Sequence, residues 1–169
     1  MRKIKTIPQL KTICAWLRSE GKTISMVTGC FDIIHHGHID LFRFAKQHSH
    51  ALIVGLDNDD AIEKAKGTGR PIFSFEEREK VLSEIQSIDY IFKIAGNYDF
   101  SLKQAEAVHD TLITELCPHI LVTDPLSDRY WKNKLHRAKK YTIRFLPYRG
   151  RPKTSSSTSV IQKMLEKEF

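Results

Sequence analysis

The stretch Thr23-Ile24-Ser25-Met26-Val27-Thr28-Gly29-Cys30-Phe31-Asp32-Ile33-Ile34-His35-His36-Gly37-His38 changes character twice. Its first part is a short apolar run of the kind that forms a strand buried on both faces. After Gly37, the positions of Ile39, Phe42 and Ala45 lay an apolar stripe along one face of a helix. The glycines and histidines between them mark a turn, so the segment reads as strand, turn and helix start. Four more apolar runs of the same kind predict strands over 51–56, 90–94, 119–123 and 142–146, in addition to the first over 23–28.

Helical patterns fill the spaces between these runs. Leu10, Ile13, Cys14 and Leu17 repeat at helical spacing ahead of the first strand, and Gly21 supplies a stop. Ser74 and Glu77 form a capping box before Val81, Leu82 and Ile85. Ser101 and Gln104 repeat that device before Ala105, Val108, Leu112 and Leu116, and Pro118 ends the helix. A last helix is expected to start in the polar run 154–159 and to bury Val160, Ile161, Met164 and Leu165. Strand and helix alternate throughout, which calls for a parallel five-stranded sheet covered by helices on both faces: an α/β, three-layer fold. No composition shift or linker divides the chain, so residues 1–169 read as a single domain. In such folds ligands bind at the carboxyl ends of the strands, beside helix N-termini.

Composition bounds the function. With 169 residues, 41% of them apolar and 28% charged, the chain can bury a core without disulfides or structural metal. Cys14, Cys30 and Cys117 have no CxxC spacing and read as small core residues. The aliphatic runs fall far short of the roughly 20 residues that span a bilayer. Arg2, Lys3 and Lys5 are followed by Pro8 and Gln9 rather than an apolar stretch, so a cytoplasmic protein is expected. The net charge of +7 is uneven: residues 129–153 hold ten Lys or Arg and no acid, which leaves the remainder at −3. Such a field attracts polyanions, although a solvated basic helix face produces the same pattern.

The turn carries the chemistry. Gly29 and Gly37 let backbone amides approach an oxyanion, Gly37 at a helix N-terminus. His35 and His38 stand three residues apart at that same end, so both imidazoles can face one bound phosphate. Two donors aimed at an anion at a positive helix end form a transition-state clamp for phosphoryl or nucleotidyl chemistry. Zinc held by His35 and His38 with His48 or His50 is a weaker alternative, because there is no thiolate and the spacing is not that of HExxH. No GxxxxGK[ST] loop occurs.

Gly-Cys-Phe-Asp-Ile-Ile-His-His-Gly-His at 29–38 resembles the GxFDxxHxGH signature of the cytidylyltransferase-like nucleotidyltransferases. The resemblance runs on through 54–60, Lys64-Ala65-Lys66-Gly67-Thr68-Gly69-Arg70-Pro71 and Glu76-Glu77-Arg78 in the manner of the adenylyltransferase domain of bacterial ADP-heptose synthases. It implies a Rossmann-like fold and an enzyme that transfers a nucleoside monophosphate from ATP, or from CTP, to a phosphorylated sugar or polyol. Heptose 1-phosphate is the acceptor of the heptose-type members, and glycerol 3-phosphate that of the cytidylyltransferase alternative. By the same resemblance His35, His38 and Lys66 are catalytic, and Gly29, Cys30, Phe31, Gly37 and Asp124 bind nucleotide. Ser156, Ser157 and Thr158 match a segment whose hydroxyls hold nucleotide phosphates. Arg70 and Arg78 would neutralise an acceptor phosphate or the leaving pyrophosphate. Mg²⁺ would arrive on the nucleotide phosphates, with no metal site made by protein, and a homodimer is implied. Asp32 reads as a residue that bonds the backbone of its own turn.

Two stretches depart from the heptose-type pattern. A VKGGDY-like segment is replaced by Leu121-Val122-Thr123-Asp124-Pro125-Leu126-Ser127-Asp128-Arg129-Tyr130-Trp131, without the lysine and both glycines. Residues 147–153 are also altered, and together the changes point to a different, more anionic acceptor. Two other classes of function compete. One is a nucleic-acid-binding module using 129–153, with Tyr130, Trp131, Tyr141 and Tyr148 as stacking surfaces. The other is a catalytically silent relative that senses nucleotide. The intact His35 and His38 favour the enzyme.

Overall fold

The computed structural model describes residues 3–96, 98–100 and 103–150. Five strands, β1 (Ile24–Gly29), β2 (Ala51–Asp57), β3 (Tyr90–Ile94), β4 (Ile120–Thr123) and β5 (Arg144–Pro147), form one parallel sheet in the order β3-β2-β1-β4-β5. Each overlaps an expected strand. Six helices accompany them: α1 (Ile7–Ser19), α2 (His36–Gln47), α3 (Asp59–Lys66), α4 (Phe75–Ser83), α5 (Lys103–Leu116) and α6 (Trp131–Lys140).

The period-two geometry of the strands sorts the apolar side chains into two cores. Met26, Ala51, Ile53, Phe92 and Leu121 pack with Leu10, Cys14 and Leu17 of α1 and with Leu112, Ile113 and Leu116 of α5 on one face. Val27, Leu52, Val54, Leu56, Ile91 and Val122 pack with Leu41, Phe42 and Ala45 of α2 and with Phe75 and Leu82 of α4 on the other. The three-layer α/β architecture is therefore present, and β2 is buried along its whole length, which explains its unbroken apolar run.

Local signals fix the helix ends. Thr6 and Ser74 each form a full capping box, with Gln9 and Glu77. Each cap is worth about 1 kcal/mol. α3 was not singled out in the sequence, although Asn58 caps it, Asp59 and Asp60 open it and Lys64 and Lys66 close it, in keeping with its dipole. α6 buries only Arg137 and Ala138, too little apolar surface to show a stripe. Ser101 and the helix expected after residue 154 lie outside the described residues. No described helix is long and apolar enough to cross a membrane.

From β1 the chain moves outward through β2 and β3, then returns to place β4 on the other side of β1. This reversal splays the connections leaving the carboxyl ends of β1 and β4, and a crevice opens between them.

Candidate active site

β1 ends at Gly29, and Phe31 then takes a left-handed backbone conformation with φ 45. The Phe31 ring folds back over Gly29, where an added Cβ would lie 3.1 Å from the ring tip. It also meets His38 edge-on, with centroids 5.3 Å apart, and packs on Phe42. A side chain at residue 29 would press on the Phe31 ring, which in turn props His38.

His35 is the N-cap of α2 but makes no capping bond with its side chain. Its ring crosses Gly37 instead, where a Cβ would come within 3.2 Å of Cε1 and Nδ1. From there it stacks on His38, with centroids 3.8 Å apart and planes inclined by 23°. Burial, the neighbouring His35 ring and the charge of Lys66 push His38 down to about 3. His38 is therefore neutral near pH 7, a ring able to donate one hydrogen bond and accept another. Its Nδ1 is buried without a protein partner.

The two rings lie on the wall of a cavity of about 550 Å³, at the carboxyl ends of β1, β2 and β4. Thr28, Gly29, Cys30 and Phe31 line it from β1 and the following turn, Asp57 and Lys66 from β2 and α3, and Thr123, Asp124, Asp128 and Lys134 from the β4–α6 side. Phe100 and Tyr130 also line it and stack on each other, 5.3 Å apart and inclined by 19°. Burial and the Asp57 carboxylate push the Cys30 thiol up to about 12, so it is a neutral thiol rather than a nucleophile.

Of the residues expected at the site, Gly29, Cys30, Phe31, His35, His38, Lys66 and Asp124 border this one cavity, and Gly37 lies under His35. The Asp124 carboxylate also accepts from the Leu126 amide and the Ser127 hydroxyl, so it shapes its own turn. Ser156, Ser157 and Thr158 lie outside the described residues.

Arg78 requires a correction. It is 1% exposed and donates to the carbonyls of Cys30, Asp57 and Phe73 and to the Asp59 carboxylate. Its guanidinium joins the ends of β1 and β2 to α4, and four of its five N–H donors are already engaged there. Arg70 is not among the residues that line the cavity and pairs with Asp32, which is, at 2.5 Å. The other Asp32 oxygen accepts from the Ile72 and Phe73 amides. Asp32 thus has a structural role, but it holds the loop of residues 70–73 rather than its own turn.

The basic run also reads differently in three dimensions. Lys134 pairs with Asp128 at 2.7 Å and donates to the Thr28 carbonyl. Arg137 and Lys140 share Asp110, at 2.9 and 2.5 Å. Burial would raise the Asp128 carboxyl, but the charge and hydrogen bond of Lys134 and the Thr123 hydroxyl hold it below the ordinary range. Tyr141 and Tyr148 pack against the two cores and Tyr130 faces the cavity, which leaves Trp131 alone of the four expected rings for a base-stacking surface.

The residues missed in the sequence are Asp57, Asp128, Lys134 and His109. Asp57 carried a usable signal, a carboxylate at the carboxyl end of a wholly apolar strand. His109 carried another, an imidazole next to Val108 on the α5 stripe. Burial and the charges of Arg137 and Lys134 push His109 down to about 3. No described group of three His, Cys, Asp or Glu residues is placed to hold a metal ion. His48 and His50 of the zinc alternative sit at the far end of α2, bonded to Phe44 and Thr23.

Comparison with known proteins agrees with this geometry. A family model described as cytidylyltransferase-like matches residues 26–163. A bifunctional protein HldE of Coxiella burnetii is 38% identical over 105 residues, 62% of this chain and 20% of its own length. Another from Stutzerimonas stutzeri is 28% identical over 165 residues, 96% of this chain and 32% of its own length. This chain thus spans at most about a third of the length of either relative. Among solved structures, a lipopolysaccharide core biosynthesis protein of Thermoplasma volcanium superposes with a TM-score of 0.56 at 24% identity, over 74% of this chain and 93% of that one. A pantoate–β-alanine ligase of Francisella tularensis, solved with β,γ-ATP and β-alanine, superposes with a TM-score of 0.65 at 15% identity, over 100% of this chain and 79% of that one. These two likenesses concern the fold. With the match to its model covering most of the sequence and the paired histidines in the crevice that the fold provides, the chain belongs to the cytidylyltransferase-like family of nucleotidyltransferases.

Proposed function

We propose that the protein transfers a nucleoside monophosphate from a nucleoside triphosphate to a phosphate oxygen of a small phosphorylated sugar or polyol. ATP is the first choice of donor and CTP the second, because the similarity to HldE proteins runs through the Lys66 to Pro71 stretch. A heptose 1-phosphate is the leading acceptor and glycerol 3-phosphate the alternative. The acceptor oxygen attacks the α-phosphorus in line. The bond from that phosphorus to the bridging oxygen breaks, and pyrophosphate leaves with the electron pair. The donor is the magnesium complex of the triphosphate, and the ion needs no protein cage because it rides on phosphate oxygens and water.

The observation that carries this reading is the stacked pair of His35 and His38 at the positive end of α2, with Lys66 beside it. A neutral His38 can donate to a phosphate oxygen as charge builds there, and Lys66 supplies the formal positive charge. Keeping His38 uncharged also avoids two like charges on rings 3.8 Å apart. Positioning and charge neutralisation supply the rate, and no covalent intermediate is required.

Thermal stabilisation by ATP, CTP, GTP and UTP with Mg²⁺ tests the donor. A ligand at a hundred times its Kd stabilises the native state by about 2.7 kcal/mol. The expected result is a rise in the midpoint with ATP and a smaller one with CTP. No shift with any triphosphate would overturn the proposal.

A further inference from the structure

The cavity that holds the paired histidines also has a part with different chemistry. Asp57, at the carboxyl end of β2, is 2% exposed and borders the cavity. The Tyr98 hydroxyl donates to one of its oxygens at 2.8 Å, and the Cys30 thiol lies 3.6 Å from the other. Tyr98 is itself fully buried, and its ring meets His109 edge-on at 5.8 Å. Among the described residues no Lys, Arg or His nitrogen comes within ion-pair distance of Asp57. Burial raises its carboxyl above the usual range, and the donated hydrogen bonds and the charges of Lys134 and Arg78 oppose that rise.

The charge around the cavity follows the same pattern. Its lining holds four Lys or Arg and five carboxylates, and two of the cations, Lys134 and Arg137, are already paired with Asp128 and Asp110. Lys66, beside the histidines, and Arg129 are left for phosphates.

On the nucleotidyl-transfer reading, we infer that Asp57 sorts the acceptors: its carboxylate accepts from hydroxyls on the acceptor's body and turns away a molecule that carries a second anionic group there. Tyr98 and Cys30 each direct a proton at Asp57, which leaves its remaining lone pairs as acceptors only. A hydroxyl satisfies such a group, whereas a carboxylate or second phosphate brings no proton to it and sets acceptor against acceptor in a buried site. Asp57 thereby acts on selectivity, while the paired histidines act on the phosphorus.

Two matched pairs of probes test this: glycerol 3-phosphate against 3-phosphoglycerate, and mannose 1-phosphate against mannose 1,6-bisphosphate. Binding is read by thermal stabilisation in the presence of the magnesium triphosphate, and turnover by pyrophosphate release. The native protein is expected to favour the hydroxyl-bearing member of at least one pair by roughly tenfold or more. Asp57→Asn, which keeps the shape and an acceptor for Tyr98, is expected to cut that ratio at least threefold while the triphosphate midpoint shift stays within error. Tyr98→Phe removes the same hydrogen bond without altering the cavity wall, and is expected to lower stability but keep the ratio. A preference for the anionic members, an unchanged ratio in Asp57→Asn, an equal loss of ratio in Tyr98→Phe, or no binding of any probe would each overturn the inference. Selective binding with no pyrophosphate release would instead overturn the transfer reaction and leave the sorting role standing.

Discussion

At the scale of single residues, His38 carries the largest share of the chemistry and the clearest tests. If the histidine pair acts mainly in the transition state, His38→Ala should lower kcat by about a hundredfold or more with the ATP midpoint shift nearly intact. Gly37→Ala is a subtler probe, since its new Cβ would press on the His35 ring from 3.2 Å. It should displace the stack and lower kcat by roughly tenfold, with Km little changed. His38 and His109 are both held near 3 in the folded protein, below the usual value of 6.5. Unfolded chains therefore bind more protons than folded ones between about pH 6.5 and 3. The stability these neutral rings contribute is complete above pH 6.5 and is lost as pH falls through that window. Each steepens the decline by up to about 1.4 kcal/mol per pH unit. Denaturant melts of His109→Asn between pH 7 and 4 should show a shallower slope than the native protein, and an unchanged slope would contradict the assignment.

At the scale of elements, the sheet and its covering helices were legible because their signals are local. Apolar runs of four to seven residues became strands, and the Ser74–Glu77 pair became the capping box of α4. α6 was not legible, since two of its cations, Lys134 and Arg137, spend their charge on Asp128 in the turn that leads into it and on Asp110 of α5. No sequence pattern announces such a pairing, and composition alone made it resemble a surface for polyanions. Arg78 failed for the same reason, as three carbonyls and a carboxylate converge on it only when β1, β2 and α4 are assembled. Its truncation leaves those acceptors buried, so Arg78→Ala should lower the unfolding free energy by about 3 kcal/mol. A variant as stable as the native protein but slow in turnover would return Arg78 to a role on substrate.

For the whole molecule, the reversal of strand order between β1 and β4 accounts for the position of the cavity. That position was legible in the alternation of strands and helices, and the histidine pair was legible in its spacing around Gly37. The acidic wall was not, because Asp57 and His109 are 52 residues apart in the chain and are brought together in the fold, joined through Tyr98. With Lys134, Arg137 and Lys140 paired internally, the molecule should bind a random oligonucleotide weakly at physiological salt, with a shallow salt slope in a fluorescence titration. The central claim is that the pair at the start of α2 promotes nucleotidyl transfer. Its most direct test is pyrophosphate release from magnesium ATP or CTP with a panel of sugar and polyol monophosphates, run side by side on the native protein and His38→Ala. Release that depends on the acceptor and falls by about a hundredfold in the variant is the expected result; release that persists in His38→Ala at the native rate, or none in the native protein, would contradict it.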